Sequence, residues 1–257
     1  MTETPLPAKV RLLPLLVLLV AIAIWWTLWL LKVFPPSVFP SPPAVARGLG
    51  EEFRSGRLLD DLVASLFRVT LGFMLAVLLG VPMGLWLGHH ARARFALLPA
   101  INFFRSLSPL AWMPFAILWF GIGDLPALFL IFMACFFPVV VATTSAVASI
   151  PSVYFRVARD YNFSGLELLT KVTLPAIAPQ VITSLRVTAG LAWLVVVAAE
   201  MIAGRDGLGF AVWDARNGLR IDLLVAAMFV IGVIGASLDR LLVQLTKIPS
   251  VRWGYER

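Results

Sequence analysis

The sequence predicts an all-α membrane protein, a polytopic transmembrane helix bundle of about six spans. Three observations predict it. Hydrophobic residues make up 60% of the 257 and charged residues only 14%, against about 25% charged in a soluble domain. Apolar runs of the length needed to cross a bilayer as a helix, about 20 residues, recur along the chain. Those runs lack the apolar/polar alternation of barrel strands and exceed their length. So few charges cannot cover a water-facing surface, so much of the surface is expected to meet lipid. The length suits one bundle rather than several domains.

The first run, residues 12–31, follows Lys9 and Arg11. A signal peptide is one reading, with Ala44-Val45-Ala46 as its cleavage signal. The run is too long for a signal core of about 7–15 residues, and a retained span is expected. Pro35, Pro36, Pro40, Pro42 and Pro43 then force an extended path. Val45, Leu49 and Phe53 recur at helical spacing beside Glu51, Glu52 and Arg54, which predicts an amphipathic helix at the outer interface. Residues 1–61 thus read as an N-terminal span plus an outer segment, 62–245 as the core domain, and 246–257 as a cytoplasmic tail.

The second span is expected at 62–88, with an uncharged stretch over 69–88. Its Gly72, Gly80 and Gly84 have small-residue spacing suited to close helix packing. The third, 95–120, carries Arg105, and the fourth, 125–148, carries no charge. The fifth, 175–202, holds Arg186 and Glu200; the sixth, 223–245, has Asp239 and Arg240 near its end. Cys135 sits in an apolar run as a packed thiol, and a lone cysteine excludes an internal disulfide. Between spans five and six, Gly204, Gly207 and Gly209 bracket Arg205 and Asp206, which predicts a hinged turn before a short helix from Phe210. An even number of spans puts both termini on one side. The Lys/Arg bias among the connections, modest in size, points to cytoplasmic termini. The net charge of +7 is read as that bias, not as affinity for nucleic acid.

The longest inner connection, 149–174, has proline near both ends. Val153, Phe155, Val157 and Ala158 lead to a polar turn at Asn162-Phe163-Ser164-Gly165, and Leu166, Leu168, Leu169 and Val172 lead to Leu174-Pro175 and Pro179. Two short amphipathic helices outside the membrane are expected. Periodicity leaves open whether they only connect two spans or dock a partner.

At these residues the chain resembles the permease subunits of ATP-binding-cassette importers. Their cytoplasmic motif runs Glu-Ala-Ala, then Gly, then Ile-x-Leu-Pro and a further Pro. Ala158, Val172-Thr173-Leu174-Pro175 and Pro179 match it, while Arg156 and Asn162 replace its Glu and Gly. Asn tolerates a left-handed conformation, so the turn survives. The run from Arg105 to Pro114, Leu118-Trp-Phe-Gly-Ile-Gly123, Ala199-Glu200-Met201, Gly207-Leu-Gly-Phe210 and Trp213-Asp-Ala215 narrow the resemblance to the nitrate, bicarbonate, taurine and alkanesulfonate branch. The likeness spans about 39–240. It implies a type I importer fold in the bacterial plasma (inner) membrane and a second permease copy completing the pathway. It also implies separate cytoplasmic ATPase subunits carrying ATP and Mg, an external solute-binding protein that largely sets specificity, and a small anion as cargo. Ala158, Arg159, Asn162, Phe163, Ser164, Gly165, Leu174 and Pro175 would then couple to the ATPase.

No Gly-x4-Gly-Lys-[Ser/Thr] loop occurs, and none of the lysines follows a glycine. The chain is therefore expected to bind no ATP or other cofactor and to catalyse nothing. His89-His90 lack acidic or Cys neighbours at metal-ligand spacing and read as a solvated turn rather than a metal site. Charges inside spans usually mark a pathway or a partner. Arg105 and Arg186 lie at similar depths, able to offer forked donors to an oxyanion. Their other reading is pairing with Asp60, Asp61, Asp239 or Glu200, or capping carbonyls at a Ser108-Pro109 break. Trp112, Trp119 and Trp193 either line the route or pack. The pathway candidates are thus Arg105, Ser108, Trp112, Arg186, Trp193 and Glu200. A self-sufficient secondary transporter or channel for a small anion is the alternative function, and it has no use for the 149–174 segment. An intramembrane enzyme would need a catalytic pair within spans, and none is present.

Overall fold

The computed structural model describes residues 13–35 and 37–245. Pro36, Lys9, Arg11 and the expected tail lie outside them. The elements are α1 (Leu13–Leu30), α2 (Pro42–Ser55), α3 (Arg57–His89), α4 (Ala91–Ser106), a 3-10 turn (Pro109–Trp112) and α5 (Met113–Phe120). They continue with α6 (Asp124–Ala148), α7 (Ser152–Asp160), α8 (Gly165–Leu168), a π-turn (Leu169–Thr173), α9 (Leu174–Ala203), α10 (Leu208–Asn217) and α11 (Ile221–Leu245). No strand occurs among the described residues. Among the described residues five helices are long and apolar enough to cross a membrane: α1, α3, α6, the run Gly165–Ala203 and α11.

Two expectations about continuity are corrected. The third span is not one helix. Ser108 is extended (φ −61°, ψ 128°), because the ring of Pro109 bars the preceding residue from helical angles. The apolar stretch is therefore divided between α4 and α5, leaving five long apolar helices among the described residues where six were expected. The second short helix of the 149–174 segment is likewise not separate. It runs through the π-turn into α9 as one 39-residue helical stretch. Pro175 has no N–H to give the Lys171 carbonyl. The turn before it widens, and Leu174 N–H bonds Leu169 O five residues back.

The described residues fall into two compact units, 13–59 with 211–230 and 60–210 with 231–245. In the first, Ser41 caps α2 by accepting from Ala44 N–H, and Gly56 ends it at φ 84°. In α2, Val45 and Gly48 are buried and Leu49 is half-buried, while Phe53 of the expected apolar stripe is exposed. Trp25 of α1 donates from Nε1 to Pro40 O at 3.1 Å and stacks on Phe229. Arg220 bonds both Glu51 and Asp222. Those contacts, Asp222 first, hold its guanidinium above the usual arginine range.

In the second unit α6 is the central element, packed along α9. It also meets α3 through a four-residue repeat of small residues. Gly72, Gly80, Gly84 and Gly88 face Ile131, Val139, Thr143 and Val147 in turn. A Cβ on Gly84 would lie 2.6 Å from Thr143 Cβ. The close packing expected of Gly72, Gly80 and Gly84 is thus present. Between lipid-solvated helices it supplies the dispersion contact that water-driven burial supplies elsewhere. Cys135 is fully buried in the same layer, its thiol 3.7 Å from Thr188 O.

Candidate functional site

The 149–180 region is an elbow. The α7 helix closes through paired reverse bonds, Phe163 N–H to Ala158 O and Asn162 N–H to Arg159 O, both 2.9 Å. That is a Schellman ending, which needs a left-handed residue at its turn. Asn162 takes it, at φ 57°. Gly165 is also left-handed (φ 51°), and Glu167 N–H bonds Ser164 O. Ala158 is buried under the turn. Phe163 is half-buried, with Lys171 Nζ 4.7 Å from its ring centroid and Lys171 held by Glu167 at 2.8 Å. Tyr161 and Leu166 are 72% and 76% exposed. Behind the turn an open cleft of about 910 Å³ is lined by Tyr154, Val157, Phe163, Lys171, Pro175 and Gln180 among others. His89, at the end of α3, braces the elbow's root. Its Nε2 lies 3.3 Å from the buried Thr173 Oγ1, and its ring meets Phe155 edge-on.

At the opposite ends of α3, α6 and α9 lies a buried ionic joint centred on Arg68. Its Nε donates to Asp124 at the start of α6 (2.7 Å). Its Nη1 donates to Glu200 of α9 (2.8 Å) and to the Asp206 carbonyl (2.9 Å). Its Nη2 meets the carboxylates of Asp206 and Asp124. Glu200 also accepts from Ser65 Oγ and from Gly209 N–H (2.9 Å). Asp61 accepts Gly207 N–H at 2.7 Å, and Ser65 Oγ accepts Leu208 N–H at 2.9 Å. The orphan donors at the start of α10 are thereby satisfied by side chains of α3 and α9, and acidic groups suit that positive helix end. A Cβ on Gly207 (φ 104°) would lie 2.5 Å from Glu200 Cδ, so glycine is needed there.

The six expected pathway residues fall in different settings. Arg105 and Ser108 are exposed on the broken α4–α5 segment, and Arg105 makes no ion pair among the described residues. Trp112 is half-buried among Phe104, Phe115 and Phe129. Arg186 forms a two-bond pair with Asp239, at 2.8 and 2.9 Å. Trp193 is buried, donates to Ile231 O at 3.2 Å and lies against Gly235. Glu200 is buried in the Arg68 joint and faces the interior of the subunit instead of open space. Sequence reasoning missed Arg68, which stands one residue before the uncharged stretch of span two. The available signal was Glu200 itself: a lone carboxylate inside a span requires a cation, and Arg68 is at comparable depth.

Long apolar helices joined through a folded elbow define the class of the protein first: a polytopic all-α membrane protein. The sequence then fixes the family. Residues 76–247 match the model of the binding-protein-dependent transport system inner membrane component, and the chain belongs to that family of ABC transporter permeases. It is 36% identical over 227 residues to the taurine transport system permease protein TauC of Escherichia coli, covering 86% of this chain and 82% of that one. It is 37% identical over 191 residues to the bicarbonate transport system permease protein CmpB of Synechococcus elongatus, covering 74% and 69%. Among solved structures, a chain of the MetNI methionine ABC transporter, inward-facing, aligns with TM-score 0.60 at 19% identity. It covers 76% of this chain and 99% of that one. At that identity the likeness concerns fold.

Proposed function

We propose that this chain is the permease of an ATP-driven importer for a small anion of the taurine/sulfonate or bicarbonate/nitrate kind. Two copies form the pathway, with cytoplasmic ATPase subunits at the elbows and an external solute-binding protein at the opposite end. ATP and Mg belong to the partner ATPase, and both termini are cytoplasmic. The relatives' names support the cargo class. Arg105 and Arg186 supply the cations that an oxyanion would meet, Arg186 by exchanging Asp239.

The elbow carries the reading. An aromatic at the tip of a rigid turn, flanked by exposed Tyr161 and Leu166, has the make-up of a segment awaiting cover. An anchor of this kind carries roughly 2 kcal/mol or more of an interface. Pro175, at the root of α9, passes a tilt of the elbow into that helix. The purified chain alone should hydrolyse no ATP, and hydrolysis should appear on co-expression with an ATPase subunit. Phe163→Asp should weaken ATPase co-purification by about 30-fold, the equivalent of 2 kcal/mol, while Phe163→Leu is mild. A complex that assembles and transports normally with Phe163→Asp would reduce the elbow to a connector.

A further inference from the structure

The Arg68 joint contains more acid than base. Three carboxylates, from Asp124, Glu200 and Asp206, share one guanidinium, and all its N–H groups are used. The three are not equivalent. Glu200 is fully buried, whereas the side chains of Asp124 and Asp206 are 56% and 59% exposed. Glu200 cannot leave without abandoning a charge in a dry site, which is costly. Either aspartate can be surrendered to water cheaply.

The two aspartates also sit on two separate glycine-hinged turns. Asp124 follows Gly121 and Gly123, at φ 76° and 147°; Asp206 precedes Gly207, at φ 104°. Both carboxylates approach the same nitrogen, Nη2, each through its Oδ1. Two like charges held on one donor repel each other, and removing one leaves more of the cation's field to the other.

We propose that Arg68 is a positioning residue for which the two glycine turns compete, so that loosening one turn tightens the other. Glu200 keeps the guanidinium in place. The turns then exchange it between them, and the end of the subunit opposite the elbow has two arrangements rather than one. Its service as a gate for cargo rests on the proposed function; the competition itself does not.

The test reads the turns directly, on the full chain in lipid nanodiscs with Cys135→Ala as background. Leu208→Cys reports on the second turn and Ala127→Cys on the first, since both side chains are buried. Labelling rates with N-ethylmaleimide are compared. Asp206→Asn should speed labelling at 208 roughly fivefold, the size of one ordinary hydrogen bond, and slow it at 127. Asp124→Asn should do the reverse, and Asp206→Glu should restore both rates. A passive scaffold, or a loosened fold, speeds both reporters together under either substitution. That outcome, or no change at either reporter, overturns the proposal. Neither aspartate is a buried side chain, and each is compared within the same reporter background, so the Asp substitutions do not put folding at stake as Arg68→Gln would. Uptake by the assembled transporter is a separate readout, and its failure would count against the gate rather than the competition.

Discussion

The two ends of the 60–210 unit are built on opposite principles. At the Arg68 end, polar groups from α3, α6, α9 and the start of α10 satisfy one another around the buried Arg68–Glu200 pair. At the elbow, bonds are mostly local, within α7 and its turn, and apolar side chains stand exposed over an open cleft. A buried ion network is weak evidence for stability, since a packed apolar core does as well. What it fixes is geometry, because each donor accepts only a few partner positions. The elbow fixes its own local shape and leaves area uncovered. One end therefore holds a relation among helices, and the other leaves apolar surface exposed.

The largest expected effect breaks the Arg68 end. Arg68→Ala leaves Glu200 buried without its cation, and removing one partner of such a pair costs about 3–5 kcal/mol. The thermal midpoint of the purified subunit in detergent should fall steeply, or the chain should fail to accumulate in the membrane. Phe163→Asp, at the elbow, should leave the midpoint of the isolated chain nearly unchanged. Equal losses from the two substitutions would erase the distinction between the ends.

The layer joining the two ends comes next. Gly84 faces Thr143 so closely that a side chain there must displace α6. Overpacking of this kind costs about 1–3 kcal/mol, so Gly84→Val should lower the midpoint by less than Arg68→Ala does. Gly190, with nothing near a built Cβ, is the control: Gly190→Ala should have little effect. A midpoint unchanged by Gly84→Val would mean that α3 and α6 are not tightly seated.

What the sequence made legible follows the range of each signal. The repeat of Gly72, Gly80 and Gly84 is local and periodic, and it names a helix face without reference to any partner. Asn162 is local too: a residue tolerant of left-handed angles stands where a turn demands one. The Arg68 joint is the reverse case. Its partners are 56, 132 and 138 residues away, and no spacing rule links them. The break of the third span at Pro109 sat in view, but hydropathy outweighed it, because an apolar run stays apolar when a proline divides it. The fusion of the elbow's second arm into α9 depends on a π-turn, an i→i+5 accommodation without a sequence signature of its own.

The smallest expected effect sharpens the elbow side. Asn162 occupies left-handed space, where an ordinary L-residue loses roughly 1–2 kcal/mol and Asn or Gly less. Asn162→Ala should therefore strain the Schellman turn by about 1 kcal/mol, while Asn162→Gly should leave it intact. The global midpoint is a poor gauge, since the elbow opens without the helices below it. The amide of Phe163 is a better one, because its bond to Ala158 O exists only while the turn is closed. Hydrogen exchange at that amide should quicken about fivefold in Asn162→Ala and stay level in Asn162→Gly. The amides of Leu208 and Gly209, held by Ser65 and Glu200 at the far end, should not respond to either substitution. If they do, the two ends are not independent, and a strain set into the elbow is felt at the Arg68 joint through α9.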